Sequence, residues 1–266
     1  VMRGRGYQVV FYYATSIVRR FALSQGFRSL VMGTEALIDT DLFSLQGSDM
    51  RVVRNNVAYI RKQKIRFTWN AIDSISTVLE EQVMSLYRDW LKLRKVPELR
   101  NHLIPFPKKC GGRLLLAYDG ENMLGVWSFF SHRHHDGLML DLMIRTAESP
   151  RGLTEAAIVE ALADARAHRV KELSLGFCGK IVSEEQSTVT ALVERLLRRW
   201  YRVKWLYNFE DLLVFKQKFK PRFEPRYLLY PRLRDVGVVV AAVMWDQCKN
   251  QKIHLKQKNT RSDEQL

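Results

Sequence analysis

The pattern of hydrophobic and polar positions along the chain changes repeatedly between the period of a strand and that of a helix. Apolar runs of strand length are found at residues 27–39, 65–69, 113–118, 123–130, 137–145, 171–178, 211–219 and 226–231. Apolar residues at helical spacing are found at residues 49–64, 74–95, 149–170 and 187–202. Strands that arrive as an antiparallel hairpin and then alternate with helices predict an α/β fold with a mixed sheet.

Local signals support several of these elements. Residues 119–122 read Asp-Gly-Glu-Asn between two apolar runs, which predicts a β-hairpin. The polar run at residues 131–137, Ser-His-Arg-His-His-Asp-Gly, is interpreted as a second hairpin turn rather than a metal site. Ser48 is the expected N-cap of the first basic helix. The apolar face of that helix is expected at Val52, Val53, Val57 and Ile60.

The net charge of +15 gives a first indication of function, because a surface so far from neutrality attracts nucleic acid or an anionic bilayer. Residues 195–234 contain 12 Lys or Arg and three acidic residues, a net charge of +9. Within them, residues 206–234 interleave these cations with aromatic rings. Cations for phosphate and rings for unstacked bases are the combination that binds an RNA end, and cations also suit an acidic lipid headgroup.

Other classes of function are not favoured by the sequence. No apolar run reaches the roughly 18 residues that a membrane span needs. Cys110, Cys178 and Cys248 lack the spacing of a zinc site, and their odd number favours a reducing compartment. There is no P-loop, and residues 149–156 contain one glycine where an acetyl-CoA turn needs several. The sequence therefore predicts no metal and no cofactor.

Five segments in order carry a resemblance to a known family. They are "EALIDTDLFSLQG", "MRVVRNNV", "LMLDLMIRTAESPRGLTEAAIVEAL", "ELSLGF" and "LYNFEDLLVFKQKFKPRFEPRYLLYP". Together they resemble the cytosolic C-terminal domain of bacterial phosphatidylglycerol lysyltransferases, also called aminoacyl-phosphatidylglycerol synthases. The resemblance covers residues 27–231, most of the chain.

The resemblance implies a fold of tandem GNAT-like acyltransferase domains with mixed, mostly antiparallel sheets and flanking helices. The expected boundaries are residues 1–105 for the first subdomain, 106–235 for the catalytic subdomain, and 236–266 for a C-terminal helix and basic tail. It also implies transfer of a lysyl or alanyl group from aminoacyl-tRNA to phosphatidylglycerol at the cytoplasmic face of the bacterial cell membrane. Such enzymes carry an N-terminal membrane region, whose absence fits the start at Val1.

Asp141 is the predicted general base, since the family's functional Asp falls on this position and apolar neighbours would raise the pKa of its carboxyl. Lys216 and Lys218 match the family pattern and are predicted ligands of the oxyanion or a phosphate. Ile144 and Leu213 replace arginines that the family commonly has. The predicted substrate-binding residues are Arg145, Tyr207, Asn208, Phe215, Arg222, Glu224 and Arg226.

Three alternatives stay open on the sequence. A related tRNA-dependent transferase with another lipid or a peptidoglycan acceptor would share all of these segments. A non-catalytic basic module that binds tRNA or membrane would explain the two missing arginines. An acetyl-CoA-dependent N-acetyltransferase would have the same fold, although the glycine-poor turn disfavours it.

Overall fold

The structure is a computed structural model that describes residues 9–94, 111–132, 136–178 and 209–232. In this part of the chain the strands are β1 (Phe11–Ala14), β2 (Arg28–Asp39), β3 (Arg66–Ala71), β4 (Arg113–Asp119), β5 (Asn122–His132), β6 (Gly137–Arg145), β7 (Glu172–Cys178) and β8 (Arg222–Tyr230). The α-helices are α1 (Ser16–Ser24), α2 (Arg51–Lys62), α3 (Thr77–Arg94), α4 (Leu153–Ala167) and α5 (Phe209–Gln217), and Ile72–Ser74 forms a 3₁₀ turn.

All eight described strands join one sheet in the order β1-β8-β2-β7-β6-β5-β4-β3. Neighbouring strands are antiparallel except β6 and β7, which are parallel. The predicted α/β fold with a mixed, mostly antiparallel sheet is therefore confirmed. Strands from both predicted subdomains share this sheet, and β2 lies between β7 and β8. The subdomain boundaries stay a prediction, and residues 95–110 between them lie outside the described part.

The main core lies between the sheet and helices α2 and α4, which pack on each other. Trp127 and Phe129 of β5 are fully buried there, and burial of such a side chain contributes about 1.5–3 kcal/mol. The opposite side of β6 packs on α3, where Leu142 and Ile144 contact a cluster with Trp90. Because both sides are covered, the central strands read as nearly continuous apolar runs in the sequence.

Three local predictions were wrong in detail. Residues 209–217 form helix α5 rather than a strand, with Leu213 and Lys216 buried three positions apart as one face of a helix requires. The first basic helix begins at Arg51 after Met50, and Ser48 contributes its backbone carbonyl rather than a side-chain cap. Val52 on that helix is exposed, whereas Val53, Val57 and Ile60 are buried as expected.

The β1–α1 unit had no clear pattern in the sequence. Strand β1 pairs with β8 at the edge of the sheet. Thr15 caps α1 by accepting a hydrogen bond on Oγ1 from the backbone N–H of Val18 at 3.4 Å. The helix buries a single residue, Ala22. The predicted helix at residues 187–202 and the predicted C-terminal helix lie outside the described residues.

Candidate active site

Strands β6 and β7 pair over a short stretch and then part. Their parallel register runs from Gly137 opposite Glu172 to Met139 opposite Ser174, and no further pair is formed between them. Both strands continue to Arg145 and Cys178, respectively. The second halves of the two strands therefore form the walls of an opening in the sheet.

Asp141 lies on the β6 wall of this opening, at a bulge. Leu140 pairs with Phe129 and Leu142 pairs with Ser128, so that Asp141 is an extra residue without a partner on β5. A bulge of this kind redirects a side chain out of the regular alternation and is common next to active sites. The general base predicted from the sequence therefore has a backbone conformation that sets it apart from its apolar neighbours.

The Asp141 carboxylate has one hydrogen-bond donor among the described residues, the Ser128 hydroxyl, at 3.5 Å from Oδ2. Ser128 Oγ also accepts from the Leu142 backbone N–H at 3.1 Å, which fixes the hydroxyl beside the bulge. The surrounding protein removes water from the carboxylate and raises its pKa, and the Ser128 hydrogen bond opposes this only in part. The side chain nevertheless keeps solvent exposure. A carboxylate with a raised pKa and an open face suits proton transfer.

The β7 wall carries a second irregularity at Gly176. The register with β2 shifts between Glu35 opposite Phe177 and Leu37 opposite Ser174, and Gly176 has a φ of 82°. A Cβ atom at this position would lie 3.5 Å from the Leu140 carbonyl oxygen and 3.7 Å from Lys216 Nζ. Gly176 thus lies between the Lys216 ammonium and the backbone of Leu140, the residue that precedes Asp141 on the other wall.

Lys216 reaches this wall from α5 and is almost completely buried. Its Nζ donates to the Phe177 carbonyl oxygen at 2.8 Å. Burial lowers the pKa of the ammonium, and Cys178 and Glu35 partly oppose that effect. Burial also raises the pKa of the Cys178 thiol, with Lys216 opposing it. A cation that is poorly solvated interacts strongly with any negative charge that develops nearby.

Behind Lys216 lies a buried polar cluster centred on Glu35 of β2. Arg226 of β8 donates to Glu35 Oε2 from Nε at 2.6 Å, and the Ser174 hydroxyl donates to Glu35 Oε1. The Tyr13 ring lies 5.7 Å from the Arg226 guanidinium. Burial and the Glu35 carboxylate raise the pKa of the Tyr13 hydroxyl. The cluster links three strands by charge-assisted bonds under the β7 wall.

Glu224 and Arg222 lie at the outer end of this cluster. Arg226 Nη1 is 3.3 Å from Glu224 Oε2, and Arg222 Nε donates to Glu224 Oε1 at 3.1 Å. Arg222 also pairs with Glu172. Burial acts to raise the pKa of Glu224, but the hydrogen bonds from the two arginines outweigh it and hold that pKa below its ordinary value. Three of the predicted binding residues thus form one charged network with Glu35.

The Lys218 ammonium does not lie in the same site as that of Lys216. Its Nζ forms an ion pair with Glu155 Oε1 at 2.9 Å, and Asn56 Nδ2 donates to the same oxygen at 3.2 Å. The expected strand would have placed both lysines on one face, but α5 ends between them and they point to different partners. Glu155 lies in the first turn of α4. A carboxylate of the chain thus lies at the helix N-terminus where an acetyl-CoA pyrophosphate would need to bind.

Of the remaining predicted residues, Arg145 lies at the end of the β6 wall, and the others lie at the border of the core or outside the described part. Arg145 is exposed at the end of β6 and donates to Ser149 Oγ at 3.0 Å. Phe215 packs edge-on against the buried Phe219 at 5.5 Å and belongs to the border of the main core. Tyr207 and Asn208 lie outside the described residues. The two positions where the resemblance led us to expect arginine, Ile144 and Leu213, are both buried in apolar clusters.

Neither a metal site nor a membrane span is seen in the described part of the chain. No group of three His, Cys, Asp or Glu side chains in these ranges could hold an ion. None of the helices there combines the length and the apolar character that crossing a membrane requires.

Sequence reasoning missed Glu35, Ser174 and Tyr13 as members of the site. Glu35 is the one acidic residue within the apolar run 30–38, and a carboxylate in a strand covered on both sides must have a buried cation as partner. That signal for Glu35 was available in the sequence. The identity of the partner of Glu35 was not, because Arg226 is 191 positions away and only the pairing of β2 with β8 brings it near.

The split mixed sheet with its flanking helices is also found in a solved structure. The chain superposes on the solved structure of L-PGS from Bacillus licheniformis with a TM-score of 0.74 at 19% identity, covering 93% of this chain and 75% of that one. The sequence identifies the family to which a chain with this fold belongs. The chain belongs to the family "Phosphatidylglycerol lysyltransferase, C-terminal", whose model matches residues 1–230.

Curated relatives agree with this assignment. The lysylphosphatidylglycerol biosynthesis bifunctional protein LysX of Mycobacterium marinum is 27% identical over 231 residues, which is 82% of this chain and 20% of that protein. The phosphatidylglycerol lysyltransferase of Bacillus subtilis is 22% identical over 247 residues, 90% of this chain and 28% of that protein. The chain thus spans between a fifth and a third of the length of these relatives.

Proposed function

We propose that the chain transfers an aminoacyl group, lysyl or alanyl, from aminoacyl-tRNA to the glycerol headgroup of phosphatidylglycerol at a membrane surface. The observation that carries this proposal is the opening between β6 and β7, with Asp141 on one wall and Lys216 on the other. The family match and the names of the relatives support the lipid and the lysyl group.

In the proposed reaction a headgroup hydroxyl attacks the ester carbonyl that joins the amino acid to the terminal ribose of the tRNA. Asp141 accepts the hydroxyl proton as the new carbon–oxygen bond forms. The ester bond to the ribose then breaks, and the proton passes from Asp141 to the departing ribose oxygen. One ester replaces another, so that neither ATP nor a redox step is needed. A carboxylate with a raised pKa is a better base for this transfer than an ordinary one.

The Lys216 ammonium would stabilise the negative charge that develops on the carbonyl oxygen during attack. Its burial makes the stabilisation stronger than it would be in water. Glu35 and Arg226 hold β2, β7 and β8 together beneath this ammonium, and in the proposal they act as positioning residues. Arg222 and Glu224 at the end of the network are then available to orient a substrate.

The tRNA donor is supported by charge. The chain carries a net charge of +15, and its segment 195–234 carries +9 together with aromatic rings. A tRNA acceptor end is a polyanion with unstacked bases, which such a segment suits. Residues 195–208 lie outside the described part, so that this support comes from the sequence.

The test is a transfer assay with the purified chain. Phosphatidylglycerol vesicles are mixed with tRNAs that are each charged with one radiolabelled amino acid, and label in the organic phase is measured. We expect label from lysyl-tRNA or alanyl-tRNA, and a loss of at least about a hundredfold in the Asp141→Asn variant. Asp119→Asn is the matched control, because Asp119 is an exposed aspartate at the β4–β5 turn and has no proposed role in the reaction. Equal label from wild type and Asp141→Asn would refute the proposed base.

A second acceptor is favoured by one observation. Ile144 and Leu213 are buried in apolar clusters, so that neither position offers a cation to an anionic headgroup. The assay is therefore repeated with vesicles that contain diacylglycerol or a neutral phospholipid in place of phosphatidylglycerol. Label that follows the neutral lipid would identify a transferase of the same chemistry with a changed acceptor.

A further inference from the structure

The β1–α1 unit exposes an unusual amount of apolar surface. We call this surface the β1–α1 face; its exposed large apolar side chains are Phe11, Tyr12, Ile17, Val18, Phe21 and Leu23. These six lie within thirteen consecutive residues at the edge of the sheet. Half of the exposed large apolar side chains in the described part of the chain are therefore concentrated on one short unit. A cluster of this kind marks a contact surface, whereas single exposed apolar residues do not.

The sequence before Glu35, which contains β1 and α1, carries charge of one sign only. Residues 1–34 contain five arginines and no aspartate or glutamate, and the first acidic residue is the buried Glu35. Arg20 projects from the exposed part of α1, and Arg28 begins β2 beside Tyr230. Exposed rings and aliphatic side chains in a segment that carries arginines and no acidic residue are complementary to an anionic lipid leaflet.

The few contacts that hold α1 on the sheet agree with an anionic lipid leaflet as the binding partner of this face. The helix buries only Ala22, and its exposed surface carries Ile17 and Phe21 four positions apart with Arg20 between them. A helix that lies at a bilayer surface inserts such apolar side chains at the level of the acyl boundary while its arginines stay with the phosphates.

We propose that the β1–α1 face docks the domain on an anionic bilayer. This inference deepens the proposed function, on which it rests for its purpose, because it states which side of the domain meets the lipid. Tyr12 of β1 belongs to the face, whereas the next residue, Tyr13, lies against Phe177 and the Arg226 guanidinium. Strand β1 thus connects the docked face directly with the cluster behind Lys216.

The experiment measures binding of the 266-residue chain to vesicles, without tRNA, by cosedimentation. The probe vesicles contain phosphatidylglycerol and phosphatidylcholine, and pure phosphatidylcholine vesicles serve as the neutral reference. The docking variant is the double substitution Ile17→Ser and Phe21→Ser. Its matched control is Val78→Ser with Leu93→Ser on α3, because these side chains are 66% and 65% exposed and the docking pair is 63% and 68% exposed.

We expect the docking variant to bind anionic vesicles at least about tenfold more weakly, since two large apolar side chains no longer insert. The control pair should bind within about twofold of wild type. A second variant, Arg20→Gln with Arg28→Gln, keeps the apolar side chains, and each lost arginine should weaken anionic binding about fivefold. Circular dichroism of every variant reports whether the fold is kept, and the arginine variant decides the matter if the serine variant unfolds.

Two results would overturn the inference. One is anionic binding by both docking variants at the level of wild type, and the other is a wild type that does not bind anionic vesicles at all. If wild type does not bind anionic vesicles, light scattering in solution tests whether a second copy of the chain covers the face instead. A dimer that the serine substitutions dissociate would identify that copy as the occupant.

A transfer assay in micelles distinguishes failure of the proposed function from failure of the docking inference. Transfer is measured to phosphatidylglycerol in detergent micelles, where no bilayer docking is needed. A docking variant that is inactive on vesicles and active on micelles supports both inferences. Wild type that is inactive on micelles refutes the proposed function, and the vesicle-binding result still decides whether the face docks.

Discussion

Arg226 and Glu35 form a buried ion pair, with Nη2 of the arginine 2.5 Å from Oε2 of the glutamate, and neither side chain has more than 5% of its surface exposed. The two residues lie on neighbouring strands and are 191 positions apart in sequence. This pair fixes the relation between the N-terminal and C-terminal parts of the sheet directly beneath the proposed site. Removal of Glu35 leaves the buried Arg226 with only the outer contact to Glu224 at 3.3 Å, and removal of Arg226 leaves Glu35 buried without its arginine partner.

The first prediction concerns this pair. Glu35→Gln or Arg226→Gln should each lower the free energy of unfolding by about 3–5 kcal/mol, because the remaining charge stays buried without its partner. The double variant Glu35→Leu with Arg226→Met should recover much of that loss. Urea unfolding at neutral pH measures all four proteins. Arg222→Gln is the control, since this arginine is largely exposed and its loss should cost less than about 1 kcal/mol.

The second prediction concerns the stability that Asp141 costs the fold. The pKa of the Asp141 carboxyl is raised in the folded protein, so the folded state holds its proton more tightly than the unfolded state. The stability that this proton contributes is fully present below the unfolded pKa of about 3.9 and is lost as pH rises through the folded pKa. Asp141→Asn should therefore stabilise the protein at pH 7 and have no effect near pH 3. Because the side chain remains exposed to solvent, the gain should not exceed about 1 kcal/mol. A loss of stability at pH 7 in urea unfolding would contradict this.

The third prediction is a bell-shaped dependence of transfer on pH. The rising limb follows deprotonation of Asp141 and should lie above the ordinary range of an aspartate, since its pKa is raised. The falling limb follows deprotonation of Lys216 and should lie below the ordinary range of a lysine, since its pKa is lowered. Single-turnover rates, corrected for spontaneous hydrolysis of the aminoacyl-tRNA at each pH, measure both limbs. In Lys216→Arg, any residual activity should lose the falling limb.

The fourth prediction separates the two lysines that the sequence suggested together. Lys216→Met should keep the fold and lower the transfer rate by about 10²–10³, as removal of an oxyanion donor does. Lys218→Met should instead lower stability by about 1–3 kcal/mol, because Glu155 then stays largely buried without its ion pair. Rates and urea curves of both variants are compared. Equal losses of rate with unchanged stability would show that the ion pair with Glu155 does not define the role of Lys218.

The fifth prediction tests the irregular β7 wall. Gly176→Ala should cost about 1–2 kcal/mol, because its φ of 82° is unfavourable for a residue with a Cβ atom. The added methyl group would also lie against Lys216 Nζ, so that the rate should fall by more than the stability loss explains. Gly120→Ala is the matched control: its φ is 57°, it lies in the β4–β5 turn, and its Cβ would meet no atom within 4 Å.

Local sequence signals predicted a large part of the fold. The Asp119-Gly120 turn and the apolar runs on either side of it predicted β4 and β5, because hairpins are determined by neighbouring residues. The exception at α5 has a physical cause. Its inward face contains Lys216, a charged residue, and this removes the apolar period from which a nine-residue helix could be recognised.

The site was predictable to the extent that it depends on residue types along one strand. Asp141 was identified from its apolar neighbours and from the resemblance to the family, but the bulge that redirects it depends on a register shift against Ser128 and Phe129. The Glu35–Arg226 pair depends on the pairing of strands far apart in sequence. Contacts of this kind are set by sheet topology, which the spacing of residues along a single chain does not contain.

The position of β2 in the sheet has a consequence for folding. Its two neighbours in the described sheet, β7 and β8, begin more than 130 residues later in the sequence, so that during synthesis neither of them is available until residue 172 and beyond have been made. Contacts with such long sequence separation slow folding, because a long loop must close before they form. A ribosome-bound chain that ends before residue 172 exposes both edges of an apolar twelve-residue strand. Newly made chains of this protein should therefore depend on chaperones until the last strand of the sheet has left the ribosome.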